Sequence, residues 1–205
     1  MRAQRGAGLI AASRPCAVVL AGGRGLRMGG ADKGLAELDG KPLVAHLLDA
    51  LRPQAAALLI NANRHGERYA AFGVPVVADP WPDFRGPLAG IAAAFAAIEH
   101  DWLLAAPCDT PGLPADLAAQ LMAAAQAGRR DAAYAVVDGD PVYPLCLLHR
   151  RLAAPLRTAL EAGHYAVGRW LAAQGAVAVN IRGWCGTLMN LNTPERLAAA
   201  QHHPT

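Results

Sequence analysis

The chain reads as a three-layer α/β/α sandwich around a mainly parallel sheet, and three observations lead there. Short, nearly continuous apolar runs recur through its first half, as strands buried on both faces require. Stretches with helical spacing separate these runs, so strands and helices alternate. The runs end in glycine, asparagine or aspartate, which collects polar groups at the carboxyl ends of the strands, where open α/β sheets bind ligands.

Taken in order, the first strand covers residues 16–21 and runs straight into a glycine-rich loop. Residues 35–38 are short and apolar, and Asp39-Gly40 is a turn. Leu43, Leu47, Leu48 and Leu51 give residues 42–51 a helical face, with Pro42 suited to the first turn. A second strand over 55–60 ends in Asn61, and a helix over 64–72 is closed by Gly73. The third strand, 74–78, ends in Asp79; a Pro-rich, aromatic loop over 80–86 then enters an alanine-rich helix at 87–98. The fourth strand, 101–107, ends in Cys108-Asp109.

Regularity falls in the second half. A helix at 117–127 stops at Gly128, and apolar runs at 132–137 and 142–148 flank Asp138-Gly139-Asp140-Pro141 as in a hairpin. Helices are expected at 151–162 and 167–173, a strand at 176–181, an edge strand at 187–191 and a closing helix at 194–201. The last has Thr193 as its cap and Pro194 at the first helical position. Residues 1–14 read as a flexible N-terminal extension, and residues 15–205 as one domain. The apolar patch in the extension is shorter than a secretory signal needs, and no apolar run approaches membrane-spanning length.

Composition narrows the function classes. With 205 residues, 54% hydrophobic and 17% charged, the chain is globular and long enough for a substantial core. Its formal net charge of +3 suits a small anionic substrate. The cations are scattered and few aromatics are available for stacking, so no nucleic-acid partner is expected. Cys16, Cys108, Cys146 and Cys185 are far apart and form no C-x-x-C pair, which argues against a zinc site. The first three lie in apolar runs and read as buried free thiols, in keeping with a reducing cytoplasm.

The loop after the first strand carries the chemistry. Gly22, Gly23, Gly25, Gly29 and Gly30 share a short segment with Arg24, Arg27 and Lys33. Glycine backbone approaches a ligand closely, and successive N–H groups make an anion-binding concavity. A ligand-free turn rarely needs five glycines beside three cations, so the segment reads as a polyphosphate cradle. It is neither a P-loop nor a dinucleotide fingerprint, because Met28 stands where the latter requires glycine. Asp109, after a buried strand, suits either a turn or Mg²⁺ shared with substrate phosphates. Asn61 and Asp79 suit turns equally well, or hydrogen bonds to a base or ribose.

The run Leu20-Ala21-Gly22-Gly23-x-Gly25-x-Arg27-Met28-Gly29, followed by Lys33, resembles the signature of nucleotidyltransferases that load nucleoside triphosphates onto small phosphorylated acceptors. The adjacent pair Gly22-Gly23 is most similar to the molybdenum cofactor guanylyltransferases. Further similarity lies in Pro107-Cys108-Asp109-Thr110-Pro111, in Phe84-Arg85-Gly86-Pro87-Leu88-Ala89-Gly90 and in Asn190-Leu191-Asn192-Thr193-Pro194. The resemblance spans residues 16–197. It departs at Gly163-His164-Tyr165, where the family tends to place arginines; Arg169 is the remaining cation there.

What the resemblance implies is a Rossmann-like sheet of the nucleotide-diphospho-sugar transferase type and transfer of GMP from GTP to molybdenum-molybdopterin, with release of pyrophosphate. The N-terminal half would bind GTP through Leu20, Ala21, Gly22, Gly23, Lys33, Asn61, Asp79 and Asp109. Catalysis would rest on Lys33, Asp109 and Arg24, with Mg²⁺ on Asp109 as the cofactor. The C-terminal half would take the acceptor, with contacts from Arg27, Gly30, Gly86, Gly90, Asn190 and Asn192. Implied partners are GTP, molybdenum-molybdopterin, molybdenum cofactor insertion proteins and apo-molybdoenzymes, in the cytoplasm and without a membrane. Two alternatives share the site: the same transfer with CTP or onto a sugar 1-phosphate, and a non-catalytic carrier of the pterin cofactor. Glycine at Gly22, where relatives that use CTP tend to carry alanine, favours guanine. Pyrophosphate release separates an enzyme from a carrier.

Overall fold

In the computed structural model, which describes residues 14–23, 32–83 and 85–184, β1 (Cys16–Leu20) runs through a seven-stranded sheet. All five of its residues are buried. Ala17 and Val19 face one core, while Cys16, Val18 and Leu20 face the other. Period-two alternation thus makes a continuously apolar run the signature of a strand covered on both sides.

A small hairpin of β2 (Glu37–Leu38) and β3 (Lys41–Pro42) leads into α1 (Leu43–Leu51). Then come β4 (Ala57–Asn61), α2 (Gly66–Ala70), β5 (Val76–Val77), α3 (Pro87–Ala97) and β6 (Trp102–Pro107). The second half holds α4 (Leu117–Ala127), β7 (Ala132–Val137), β8 (Asp140–His149), α5 (Ala153–Glu161), α6 (Val167–Ala173) and β9 (Val177–Asn180).

The sheet order is β5-β4-β1-β6-β8-β7-β9, and β8 alone runs against the others. One face packs Val44, Leu47 and Leu51 of α1 and Leu117 and Leu121 of α4 against Val19, Leu104 and Leu147. The opposite face packs Leu88, Ile91 and Phe95 of α3 with Leu156, Leu160 and Leu171 of α5 and α6. Each fully buried leucine contributes about 1.5–3 kcal/mol relative to exposure. These two faces are the three-layer sandwich the sequence predicts.

The chain steps from β1 outward to β4 and β5, then crosses back to place β6 on the other flank of β1. That reversal opens a crevice at the carboxyl end of β1. The polar residues ending β1, β4, β5 and β6 therefore share one rim.

Several elements differ from the sequence expectation. The helix expected over 64–72 shrinks to α2, because His65 takes a left-handed φ of 51° and breaks the helical path before Gly66. The strand expected over 74–78 pairs only at Val76 and Val77. The β7–β8 turn passes through Asp138 and Gly139, both at positive φ (52° and 89°), as a tight hairpin requires. Strand β8 begins earlier than expected, and its register against β7 shifts between Tyr134, paired with Cys146, and Val136, paired with Pro141; the irregular stretch of β8 contains Pro144, which has no N–H to donate. The first turn of the helix expected at 151–162 is a 3₁₀ turn, Arg150–Leu152. The expected edge strand at 187–191 and closing helix at 194–201 lie outside the described residues. So does the expected N-terminal extension, apart from Arg14, whose guanidinium donates to the Pro53 carbonyl at 3.2 Å.

Cys16, Cys108 and Cys146 are free and buried, and burial pushes their thiols up to about 11, 12 and 12. They are inert packing groups near neutral pH. No helix among the described residues is long and apolar enough to cross a membrane.

Candidate nucleotide-binding site

At the crevice the chain leaves β1 tethered on both sides. The Ala21 N–H donates to the Asn61 carbonyl at 2.8 Å, and the Cys108 N–H to the Leu20 carbonyl at 3.1 Å. The glycine-rich segment is thereby launched between the ends of β4 and β6.

On the β4 side, three side chains form one closed network. Asn61 Nδ2 donates to Asp79 Oδ1 at 2.9 Å and to the Val77 carbonyl at 3.2 Å. Asn63 Nδ2 donates to Asp79 Oδ2 at 2.7 Å and to the Gly22 carbonyl at 3.1 Å. The Asp79 N–H returns a bond to Asn63 Oδ1 at 2.7 Å. Asp79 is thus fixed by neutral donors on both oxygens, with lone pairs still open to a ligand.

Glycines make room for this network. A Cβ on Gly22 would lie 2.8 Å from Asn61 Oδ1 and 2.9 Å from Asn63 Nδ2. A Cβ on Gly90 would overlap the Asn61 amide outright. Gly90 is buried in α3, so it backs Asn61 and offers no open surface to an acceptor. Asn61 is itself only 3% exposed, and its amide nitrogen is engaged by Asp79 and the Val77 carbonyl.

On the β6 side, Asp109 lies in a turn closed by the Thr110 hydroxyl, which donates to the Pro107 carbonyl at 2.8 Å. Lys33 Nζ stands 2.5 Å from Asp109 Oδ2, with side-chain exposures of 19% and 14%. Residues 76 apart in sequence are thus joined in a half-buried ion pair at the mouth of the crevice.

Gly86, at the start of α3, is exposed with a left-handed φ of 74°, and its open side faces the Tyr165 carbonyl at 4.0 Å. Beside it, the Arg85 guanidinium donates to the Leu160 carbonyl at 3.1 Å and lies 5.1 Å from the Trp81 ring and 5.9 Å from the Tyr165 ring. The loop ahead of α6 therefore borders the crevice near α3. A cavity of about 570 Å³ lies at the opposite end of the sheet, beside Cys16, Ala57, Pro75 and His100, and takes no part in this site.

Leu20, Ala21, Gly22, Gly23, Lys33, Asn61, Asp79 and Asp109 thus gather at one rim. Arg24, Arg27, Gly30, Asn190 and Asn192 lie outside the described residues. Sequence reasoning missed Asn63. Its signal is the Asn61-x-Asn63 spacing, which returns a second amide to the same side of an extended segment.

Comparisons with known proteins place the chain in a family. Residues 17–177 match the family model described as the MobA-like NTP transferase domain. A protein named molybdenum cofactor guanylyltransferase from Shewanella loihica is 42% identical over 182 residues, covering 88% of this chain and 92% of that one. A namesake from Ralstonia nicotianae is 43% identical over 196 residues, covering 90% and 95%. Among solved structures, molybdopterin-guanine dinucleotide biosynthesis protein A from Archaeoglobus fulgidus superposes with a TM-score of 0.75 at 23% identity, covering 91% of this chain and 96% of that one.

Proposed function

Because the chain belongs to the MobA-like NTP transferase family and is a nucleotidyltransferase, we propose that it transfers GMP from GTP to molybdenum-molybdopterin. The observation that carries this reading is the pairing of Lys33 with Asp109 across the rim from a rigidly held Asp79. One corner handles charge and the other can read a base.

An oxygen of the acceptor phosphate attacks the α-phosphorus of GTP. The bond from that phosphorus to the bridging oxygen breaks, and its electron pair leaves with pyrophosphate. A phosphate is already an anionic nucleophile at neutral pH, so no general base is needed. Catalysis is positioning plus neutralisation of charge on the transferring phosphoryl group. Lys33 supplies a point charge for it. Without ligand, Asp109 compensates that charge; with nucleotide bound, Lys33 turns to the phosphates.

The donor set also suits Mg²⁺. Among the described residues no group of three or more His, Cys, Asp and Glu is arranged to hold a metal ion. The Asp109 carboxylate beside a phosphate site fits an ion shared with the substrate. When bound, Mg²⁺ would neutralise phosphate charge there and ease departure of pyrophosphate.

The Asp79 corner favours guanine over cytosine. The Watson–Crick edge of guanine carries adjacent N–H donors, which a carboxylate accepts together. Cytosine presents an acceptor beside its amine, which a carboxylate repels. Gly22 matters less by admitting a larger base than by leaving space for the two amides that fix Asp79. We further assign the acceptor to Arg27, Gly30, Gly86, Asn190 and Asn192, and place the reaction in the cytoplasm, upstream of insertion proteins and apo-molybdoenzymes. The test is pyrophosphate release from Mg²⁺-GTP, with and without molybdenum-molybdopterin. Release that requires the acceptor supports transfer; binding without release indicates a carrier.

A further inference from the structure

Lys33 opens a 3₁₀ turn, Lys33–Leu35, whose capping residue is Asp32. The Asp32 carboxylate is only 7% exposed, although the chain there has just left the glycine-rich loop. Among the described residues, three groups engage it. The Tyr69 hydroxyl donates to Oδ1 at 2.5 Å, and the Gly34 N–H donates to the same oxygen at 3.2 Å. His65 Nδ1 lies 3.0 Å from Oδ2. Tyr69 comes from α2 and is fully buried. Burial first, and then the bond to Asp32, push its hydroxyl far up, so it stays a donor. Gly34 is pressed onto this seat: a Cβ there would overlap the Tyr69 hydroxyl and lie 3.1 Å from the Ala21 Cβ.

The same short loop reaches the other side of the site. Asn63 bonds the Gly22 carbonyl and Asp79, Arg64 Nη2 donates to the Gly23 carbonyl at 3.4 Å, and His65 holds Asp32. Three consecutive residues between β4 and α2 thus grip the entry of the glycine-rich segment and its exit. The left-handed backbone at His65 lets neighbouring side chains diverge this way.

We propose that Asp32, locked by Tyr69 and His65, is the positioning residue for Lys33, and that the Asn63-Arg64-His65 loop ties nucleotide recognition to the placement of that lysine. Its catalytic part rests on the guanylyl-transfer reading above. Its structural part does not. An untethered turn leaves Lys33 to sample positions away from the phosphates, and misplacement of about 1 Å is costly in rate even when binding survives.

The chain has two lysines, Lys33 and Lys41, which supply a probe and its internal control. Reductive methylation followed by peptide mass spectrometry reports the accessibility of each. In Tyr69→Phe and His65→Ala the expected result is Lys33 labelling at least fivefold faster, with Lys41 labelling at its native rate at a temperature where circular dichroism shows both variants folded. Tyr69→Phe should also lower kcat about tenfold while the KM for GTP stays within twofold. In a Lys33→Ala background it should cost nothing further, because Asp32 acts only through that lysine. Unchanged Lys33 labelling, or rate losses that multiply with Lys33→Ala, would overturn the proposal. If the native protein transfers no nucleotide, the functional reading fails while the labelling still decides whether Asp32 seats Lys33.

Discussion

Asp79 and Asp109 are both carboxylates at the end of a parallel strand, yet their neighbours make them different tools. Asp79 is held on each oxygen by a neutral amide, and its own N–H is bound as well. Such a group keeps its orientation, as a template for reading hydrogen-bond donors must. Asp109 instead pairs with the Lys33 ammonium, the two side chains 14% and 19% exposed at the mouth of the crevice. An ion pair of that kind can part when phosphates and a metal ion arrive, because each partner then finds a new counter-charge. Under the guanylyl-transfer reading, selection would rest on the satisfied network, and chemistry on the pair whose partners can be exchanged.

The comparison breaks most severely at Asp109. Asp109→Asn should reduce transfer by about a thousandfold with an unchanged circular dichroism spectrum, since charge handling at the phosphates is the largest catalytic effect. Lys33→Ala comes next, with kcat lower by about a hundredfold or more and the KM for GTP little changed in steady-state assays. Asp79→Asn should act on the other parameter, raising the KM for GTP about tenfold to a hundredfold, because base donors lose the carboxylate that accepts them. Gly22→Ala should follow with a GTP Kd about tenfold higher by calorimetry: the new Cβ would displace the Asn61 and Asn63 amides and loosen Asp79. The smallest effect is expected at the exposed pair between Lys41 and Asp49, remote from both corners. Lys41→Ala should leave the melting temperature within about 1 °C, because exposed ion pairs contribute little.

The sequence carries much of this arrangement because a buried parallel sheet writes itself as apolar runs with polar ends. β1, α4 and α6 have almost the predicted limits, since each has unmixed spacing and a clear stop such as Gly128. The rim residues Asn61, Asp79 and Asp109 were legible by strand-end position alone. What position does not convey is partnership. Asn61 looks like a ligand contact in sequence, and in the fold it is a buried brace for Asp79. Gly90 looks open in sequence and is filled by that brace. His65 falls inside the helix expected over 64–72, and Asn63 in the short connection ahead of it; the left-handed turn at His65 has no marker, because the residue adopting it is histidine and not glycine. Asp32 next to Lys33 reads as loop polarity until Tyr69, distant in sequence, arrives beneath it.

The division of labour between the two corners is tested most directly by the ratio of kcat/KM for GTP to that for CTP, measured in the native protein, Asp79→Asn and Lys33→Ala. Lys33→Ala is expected to lower both values and leave the ratio as it was, whereas Asp79→Asn is expected to collapse the ratio toward one. A ratio that falls equally in both variants, or survives in Asp79→Asn, would contradict it.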